Sequence, residues 1–394
     1  MTLQEAYNIC IKKFEIHQKN YRLGSFEGSA VQSGKYYTDG MFREFNDCDQ
    51  WLASFFTGLA PLYYRTEKNS DYLVWANKFI DGYRQKVFDY PLTTMHDLGF
   101  LYMPYSVAMY QLTGDAQHKI IALKAADELL KRFNIHGKYI DAWRRMNDEE
   151  SDGRAIVDCM MNIPLLFWAW KETGNIAYRD IAKAHADTTA KLFIRDDFSV
   201  AHSFIFNRDT GELIGESNTC GFGNGSHWGR GTAWAMYGFA MTARYLDDKK
   251  YYDLSKSITK KYIEELGEDN YIPIWDFRLP EDKPAHMYYN NVVTWDETKP
   301  ENMEFAVDTS ATAIAACAML ELDDYIADPE LRKFAENSLL ALCDEKYFFA
   351  ETDISGILKR QNGRMNTAPY GDYYFVEALQ RVLNPHIQTC TRHS

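Results

Sequence analysis

Two aspartates have the type and setting for acid/base chemistry. Asp97 lies in His96-Asp97-Leu98-Gly99-Phe100, and Asp158 in Arg154-Ala155-Ile156-Val157-Asp158-Cys159-Met160-Met161-Asn162-Ile163-Pro164, each beside the start of an apolar helical run. An ionised carboxylate is expensive to remove from water, so an aspartate among Val157, Met160 and Met161 needs a partner, a proton or a function. Asp97 directly precedes a run beginning at Leu98, where it could cap free backbone amides and be held ionised by the positive helix end. Asp158 falls inside a run that includes Ile156, Val157 and Leu165-Leu166-Phe167-Trp168. Desolvation there, and repulsion from Asp97 if both face one cleft, would raise its pKa and make it the expected proton donor. The plainer readings are a capping Asp97 and a buried Asp158 paired with Arg154 or Arg230.

A second group of candidates lies in the stretch 196–229. It holds His202, a hairpin-turn sequence Asn207-Arg208-Asp209-Thr210-Gly211, and Gly221-Phe222-Gly223-Asn224-Gly225-Ser226-His227. The glycines are not read as a phosphate loop, since no Lys-Ser/Thr follows and no strand is expected before them. Next comes Trp228-Gly229-Arg230-Gly231-Thr232-Ala233-Trp234, where Arg230 and Trp234 stand one helical turn apart on a common face. The non-helical stretches 134–153, 196–229 and 267–305 are long enough to belong to a site or its lid.

These residues must be positioned by helices. Apolar residues recur at helical spacing over about 1–17, 49–65, 71–88, 98–112, 116–133, 155–171, 176–194, 230–246, 250–266, 306–321, 329–344 and 371–383. Junctions such as Arg65-Thr66-Glu67-Lys68-Asn69, Gln111-Leu112-Thr113-Gly114-Asp115, Lys171-Glu172-Thr173-Gly174-Asn175, Leu246-Asp247-Asp248 and Leu322-Asp323-Asp324 each stop one helix and cap the next. The runs 155–171 and 306–321 are apolar nearly all round and read as inner helices, whereas 116–133 and 250–266 carry a charged stripe and read as outer ones. Six such pairs predict an all-α fold, an (α/α)6 barrel, and no linker divides the chain, so 1–394 is expected to be one catalytic domain.

Composition narrows the function. Of 394 residues 46% are hydrophobic, enough for a large core, and the 27 Tyr and 9 Trp could line a sugar cleft as well as fill that core. A formal net charge of −13 argues against a nucleic-acid or anionic-membrane partner, so an acidic ligand would need a local cationic pocket. No run approaches the roughly 20 apolar residues of a membrane span, and Met1 to Asn20 reads as an amphipathic helix, so a soluble, cytoplasmic protein is expected. Seven scattered cysteines without a Cys-x-x-Cys pair support neither a disulfide framework nor structural zinc.

Taken together, His96-Asp97-Leu98-Gly99-Phe100, Ile156-Val157-Asp158 running to Asn162-Ile163-Pro164-Leu165-Leu166, Trp228-Gly229-Arg230-Gly231 with Ala233-Trp234, and Gly371-Asp372-Tyr373-Tyr374 resemble glycoside hydrolase family 88, the unsaturated glucuronyl hydrolases. The motifs occur in the expected order, from about Trp51 to Leu379. The resemblance implies an (α/α)6 barrel with no metal or organic cofactor. It also implies a substrate bearing a 4,5-unsaturated uronic acid at the non-reducing end of a lyase-generated oligosaccharide. The vinyl ether of that sugar is hydrated: carbon 4 is protonated, water adds at carbon 5, and the hemiketal opens with loss of the glycosidic bond.

By the same resemblance Asp158 matches the general acid/base and Asp97 its companion carboxylate. Arg230 matches the arginine near the substrate, with a planar fork suited to the uronate. His202 matches a site histidine, with His96 a further candidate beside Asp97. Trp51, Trp143 and Trp234 resemble cleft tryptophans, with core packing as the competing explanation for each. A loop from Lys359 to Arg364, including Arg360 and Asn362, lies where relatives vary in handling sulfated sugars. The sequence departs from many relatives at Cys220, where they carry glutamine. Unsaturated rhamnogalacturonyl hydrolases share the barrel and a tryptophan-arginine motif but match His96-Asp97-Leu98-Gly99-Phe100 less well. A noncatalytic carbohydrate-binding helical scaffold would have no need of Asp158.

Overall fold

The computed structural model describes residues 1–23, 45–46, 50–146, 148, 152–279, 288–289, 292–293, 307–361 and 367–386. Among them, six inner helical stretches alternate with six outer ones. The inner stretches are Ala53–Thr57 continuing as Leu59–Glu67, Leu98–Tyr102 continuing to Thr113, Val157–Met161 followed by Pro164–Thr173, Gly229–Leu246, Thr309–Tyr325 and Pro369–Leu383. The outer ones are Leu3–His17, Ser70–Asn77 with Ile80–Phe88, Ala116–Leu130, Ile176–Leu192, Lys249–Leu266 and Pro329–Leu342. Each inner stretch packs on the next and the last packs on the first, which closes the expected (α/α)6 ring.

Sequence dictates which helices go inside. From Thr309 to Leu322 every residue is buried, whereas Lys249–Leu266 buries only a stripe of Tyr251, Tyr252, Ser255, Ile258, Thr259, Tyr262 and Leu266. The tight turns follow one recipe. A residue in left-handed conformation (Lys68, Gly114, Gly174 or Asp247) ends one helix, and the next side chain (Asn69, Asp115, Asn175 or Asp248) accepts from a first-turn amide of the following one. Each such cap contributes about 1 kcal/mol. The stop expected at Asp323-Asp324 comes later: the helix runs to Tyr325 and Asp328 caps the next, because Asp323 and Asp324 pair with Arg332 and Arg381 instead.

Two expected helices differ in their first turns. The run 155–171 begins as a strand, Gly153–Ile156, paired antiparallel with Ser203–Phe206, which pairs in turn with Leu213–Glu216 across the expected hairpin turn. A tight 3-10 turn, Val157–Met161, follows, and the α-helix starts only at Pro164, the position where a missing N–H is harmless. The apolar run hid this change, since buried strand and buried helix look alike in composition. A strand therefore does precede the glycine stretch, although the stretch leads to Trp228 and not to a Lys-Ser/Thr. In the run 98–112, Pro104 withholds a donor and residues Met103–Val107 widen into a π-turn.

The C-terminal ends of three inner helices are locked by buried charge. Arg381 contacts Glu321 at 2.5 Å and Asp324 at 2.8 Å, and Arg244 also pairs with Glu321; midway along the same helices the Tyr237 hydroxyl donates to Glu377 at 2.5 Å. Elsewhere between inner helices, backbones approach so closely that only glycine fits. A Cβ on Gly99 would lie 2.3 Å from Asn162 Cα, and one on Gly238 2.5 Å from Met160 Cβ. Gly99→Ala should therefore lower stability by about 1–3 kcal/mol, the usual range for overpacking against backbone that cannot yield. A thermal melt followed by far-ultraviolet circular dichroism would check this, with the folded-state helicity unchanged.

Candidate active site

The inner helices begin at the same end of the ring, and each brings a chemically useful residue there. Trp51 precedes Ala53–Thr57, Asp97 precedes Leu98, Asp158 sits in the turn before Pro164, and Arg230 is the second residue of its helix. Asp308 caps Thr309–Tyr325, and Tyr370 opens the last helix.

The two aspartates are joined through Asn162. Its Oδ1 accepts from Phe100 N–H at 2.8 Å, and its Nδ2 donates to the Asp158 carbonyl at 3.4 Å, across the contact that requires Gly99. Asp97 makes no capping hydrogen bond, which corrects the cap reading: its backbone stands at φ −74°, ψ 20°, outside the extended conformation such caps adopt. Burial and then the charge of Asp158 push the Asp97 carboxyl up to about 8, against weaker opposition from Arg132 and Asn162. Burial also works against ionised Asp158, but His202, Arg230 and His96 together overcome it and hold that carboxyl below its usual range. The expected asymmetry is thus inverted. Asp97 keeps the proton and Asp158 is ionised, because the second aspartate has a cationic neighbour and the first has none so close.

That neighbour is His202, whose Nε2 lies 3.5 Å from Asp158 Oδ2. The imidazole is pushed up to about 10: burial opposes the charge, but Cys220 and Asp158 outweigh it. Its backbone is fixed on both sides, with the carbonyl accepting from Val157 N–H at 2.9 Å and the N–H donating to Asn218 Oδ1 at 3.0 Å. Arg154 pairs with neither aspartate. It donates to Ser203 Oγ at 3.0 Å and lies 5.3 Å from the Trp143 ring centre.

His96 behaves in the opposite way. Burial first and Arg132 second push it down to about 3, so it is neutral. Its Nδ1 accepts from Trp143 N–H at 3.3 Å, which places the ring proton on Nε2, the nitrogen 3.2 Å from Asp97 Oδ1. Fully buried, His96 serves Asp97 from behind and is not a substrate contact, contrary to expectation. Arg132 staples this region, donating to the carbonyls of Thr94, Asp141 and Arg144.

The tryptophans divide. Trp143 is 37% exposed, at φ 60°, with its ring 5.5 Å from His202, so it presents a face beside the site. Trp51 is half-buried and stacks on Tyr370 at 5.4 Å. Trp234 has no exposure and packs between Phe100 at 5.1 Å and Tyr374 at 5.4 Å, so core packing accounts for it and the cleft role is corrected. Arg230 is paired with neither catalytic candidate. Its Nη1 donates to Asp308 Oδ2 at 3.0 Å, and its guanidinium lies over the Trp228 and Tyr370 rings at 4.6 and 4.8 Å.

Several of these residues escaped the sequence reading. Asp308 had a legible signal, an Asp-Thr-Ser cap before an apolar helix, and Asn162, Trp228 and Tyr370 stand in or beside the motifs. Asp372 of the last motif is structural: it accepts from the Ile357 and Leu358 amides, both at 2.9 Å. Arg360 has a left-handed backbone and its carbonyl accepts from Thr309 N–H at 3.4 Å, while Asn362 and Arg364 lie outside the described residues. Among the described residues no cluster of His, Cys, Asp and Glu could hold a metal ion, and no helix is long and apolar enough to cross a membrane.

One proton, one base, two cations and a stacking face make a site for acid/base chemistry on an anionic ring compound. Known proteins agree. An unsaturated glucuronyl hydrolase of Bacillus sp. (strain GL1) is 31% identical over 349 residues, covering 86% of this chain and 87% of the relative. An unsaturated chondroitin disaccharide hydrolase of Streptococcus pneumoniae is 33% identical over 347 residues, covering 85% and 82%. The crystal structure of the unsaturated glucuronyl hydrolase responsible for the degradation of glycosaminoglycan, from Bacillus sp. GL1, superposes with a TM-score of 0.82 at 28% identity over 99% of both chains. The sequence model of Glycosyl Hydrolase Family 88 matches residues 28–270, and the chain is a glycoside hydrolase belonging to that family.

Proposed function

We propose that this glycoside hydrolase releases a 4,5-unsaturated uronic acid from the non-reducing end of lyase-generated, glycosaminoglycan-type oligosaccharides by hydrating the vinyl ether. The observation that carries the reading is a buried Asp97 and a half-buried Asp158 whose surroundings push their carboxyls in opposite directions, with His202 3.5 Å from Asp158. Hydration needs an acid and a base together. The pair gives a proton to carbon 4, cationic character builds at carbon 5, and water adds there while returning a proton to the pair. The carbon 5 hemiketal then opens, its ring oxygen takes the proton, and the resulting hemiacetal expels the glycosidic alcohol. Ionised Asp158 stabilises the developing positive charge and takes the proton from water, and Asp97 supplies the proton held in the free enzyme. Arg230 offers its fork to the uronate, and the exposed Trp143 ring offers a surface to sugar C–H groups. On this reading the Lys359–Arg364 loop senses the neighbouring sugar, which the bond from the Thr309 hydroxyl to the Lys359 carbonyl at a helix start supports.

The reaction belongs in the cytoplasm on this reading. Cys10, Cys159, Cys220, Cys317 and Cys343 are free thiols, as a reducing compartment would keep them. Incubation with lyase-generated unsaturated disaccharides should remove the ultraviolet absorbance of the conjugated double bond. Absorbance that persists across glycosaminoglycan and pectin fragments would refute the activity.

Asp158→Asn should lower kcat by about a hundredfold or more while leaving substrate binding measurable, since shape survives and the base does not. Turnover should also depend on pH through the pair. Because the Asp97 carboxyl is raised to about 8, its proton is present at neutral pH and lost above that value, so kcat/KM should fall on the alkaline side near there. The same shift links to stability. An unfolded Asp97 ionises near its ordinary value, whereas the folded one resists ionisation up to about 8, so its contribution is largest in acid and declines as pH rises through that window. Asp97→Asn, a neutral isostere, should therefore raise the melting temperature at neutral pH while abolishing turnover; an unchanged or lower melting temperature would show that burial does not strain this carboxyl.

A further inference from the structure

Arg230 and Asp308 form a buried pair at the mouths of adjacent inner helices, and each has little freedom. The Arg230 guanidinium lies 4.6 Å from the Trp228 ring centre and 4.8 Å from that of Tyr370, with Nη1 donating to Asp308 Oδ2 at 3.0 Å. Asp308 has no exposure at all. Its other oxygen, Oδ1, accepts from Ser310 N–H at 3.1 Å, from Ala311 N–H at 3.4 Å and from the Ser310 hydroxyl, and its backbone N–H donates to the Pro273 carbonyl at 2.9 Å. The carboxylate therefore cannot turn: one oxygen caps the helix and the other points at Arg230.

We propose that Asp308 is a positioning residue that aims the Arg230 fork at the substrate's carboxylate. The inference rests on the reading that Arg230 holds the uronate. A guanidinium has several donors in one plane, so two aromatic rings against it and an acceptor fixing one terminal nitrogen together set the direction of the remaining donors. An arginine held only by aromatic rings would keep the plane and lose the in-plane orientation. Asp308 sets it, from a helix start that also carries the Thr309 hydroxyl bond to the Lys359 carbonyl at 2.7 Å.

The chemistry of an amide separates the two tasks of Asp308. In Asp308→Asn the side-chain oxygen can still cap the Ser310 and Ala311 amides, but the amino group then faces Arg230 Nη1, donor against donor. Asn is as good a cap as Asp, so the helix start survives and the aim of Arg230 does not. Asp308→Ser, which caps but is too short to reach Arg230, is the second variant if the first folds poorly. KM and kcat on an unsaturated disaccharide should be measured for Arg230→Ala, Asp308→Asn, Asp308→Ser and the double variant Asp308→Asn with Arg230→Ala. Both Asp308 variants should raise KM about tenfold with kcat changed far less, and the double variant should be no worse than Arg230→Ala alone, since the aspartate acts only through the arginine. If Arg230→Ala raises KM but the Asp308 variants leave it unchanged, or if the double variant shows the two losses multiplied, the positioning role is overturned and the uronate reading stands. If Arg230→Ala leaves KM unchanged, the uronate reading falls and the positioning role falls with it.

Discussion

Two carboxylates in one dry pocket cannot both be ionised without cationic help, and the site is arranged around that constraint. The close approach of Gly99 to Asn162 brings the two chain segments together, and Asn162 bonds to both. What remains is to decide which aspartate keeps the proton. Two histidines decide it, through opposite surroundings. His96, buried with Arg132 nearby, cannot take a charge and so offers Asp97 no cation. His202, flanked by Asp158 and Cys220, becomes one and stabilises Asp158 as the anion. The same residue type thus appears once as a neutral support and once as a counter-ion.

The ring makes such a cluster possible. Every inner helix starts at the same end, so six chain entries converge there, and the residues just before or inside each first turn need no long loops to meet. The opposite end is held by Arg381, Arg244, Glu321 and Asp324, whose disruption would leave uncompensated buried charge. That lock lets the open end be less well packed: a half-buried Trp51, an exposed Trp143 in left-handed conformation, and aspartates held in unfavourable surroundings are tolerated there. The small sheet formed by Gly153–Ile156, Ser203–Phe206 and Leu213–Glu216 is part of the same economy. Its first strand runs into Asp158 and its second runs away from His202, and the bond from Val157 N–H to the His202 carbonyl ties the two ends together.

Periodicity made the ring legible because a buried helix and a striped one differ in sequence, and the capping turns at Asn69, Asp115, Asn175 and Asp248 stood out because left-handed residues and short acceptors are specific to such turns. The aspartates, Arg230 and His202 were legible through their motifs. The charge on each group was not. Reading Asp158 as the protonated partner followed from its apolar sequence neighbours, but a pKa answers to neighbours in space, and His202 lies far along the chain. Trp234 illustrates the same limit: its helical register with Arg230 is real, yet in a helix buried on every side a shared face is no guarantee of facing the cleft. The strand at Gly153–Ile156 was hidden for another reason, since it is only four residues long and joined directly to a helical turn, too short for an alternation to show it.

The position of the proton also bears on how a chain of net charge −13 receives an anion. Arg230 and His202 are the cations of the site, and each is already matched, Arg230 by Asp308 and His202 by Asp158. With Asp97 neutral those four charges cancel one another, and an arriving uronate meets the donors of Arg230 and His202 without an added negative charge from Asp97. With Asp97 ionised the balance would turn negative, and the uronate would be repelled at short range in a poorly screened setting, where such a charge acts far more strongly than it would in water. In the proposed mechanism the burial that strains Asp97 serves two ends through one proton: it stores the acid for protonation of carbon 4, and it removes a charge that would repel the substrate. Uronate binding should strengthen the arrangement, because a bound anion raises the pKa of both aspartates and holds the proton on the pair until the double bond takes it.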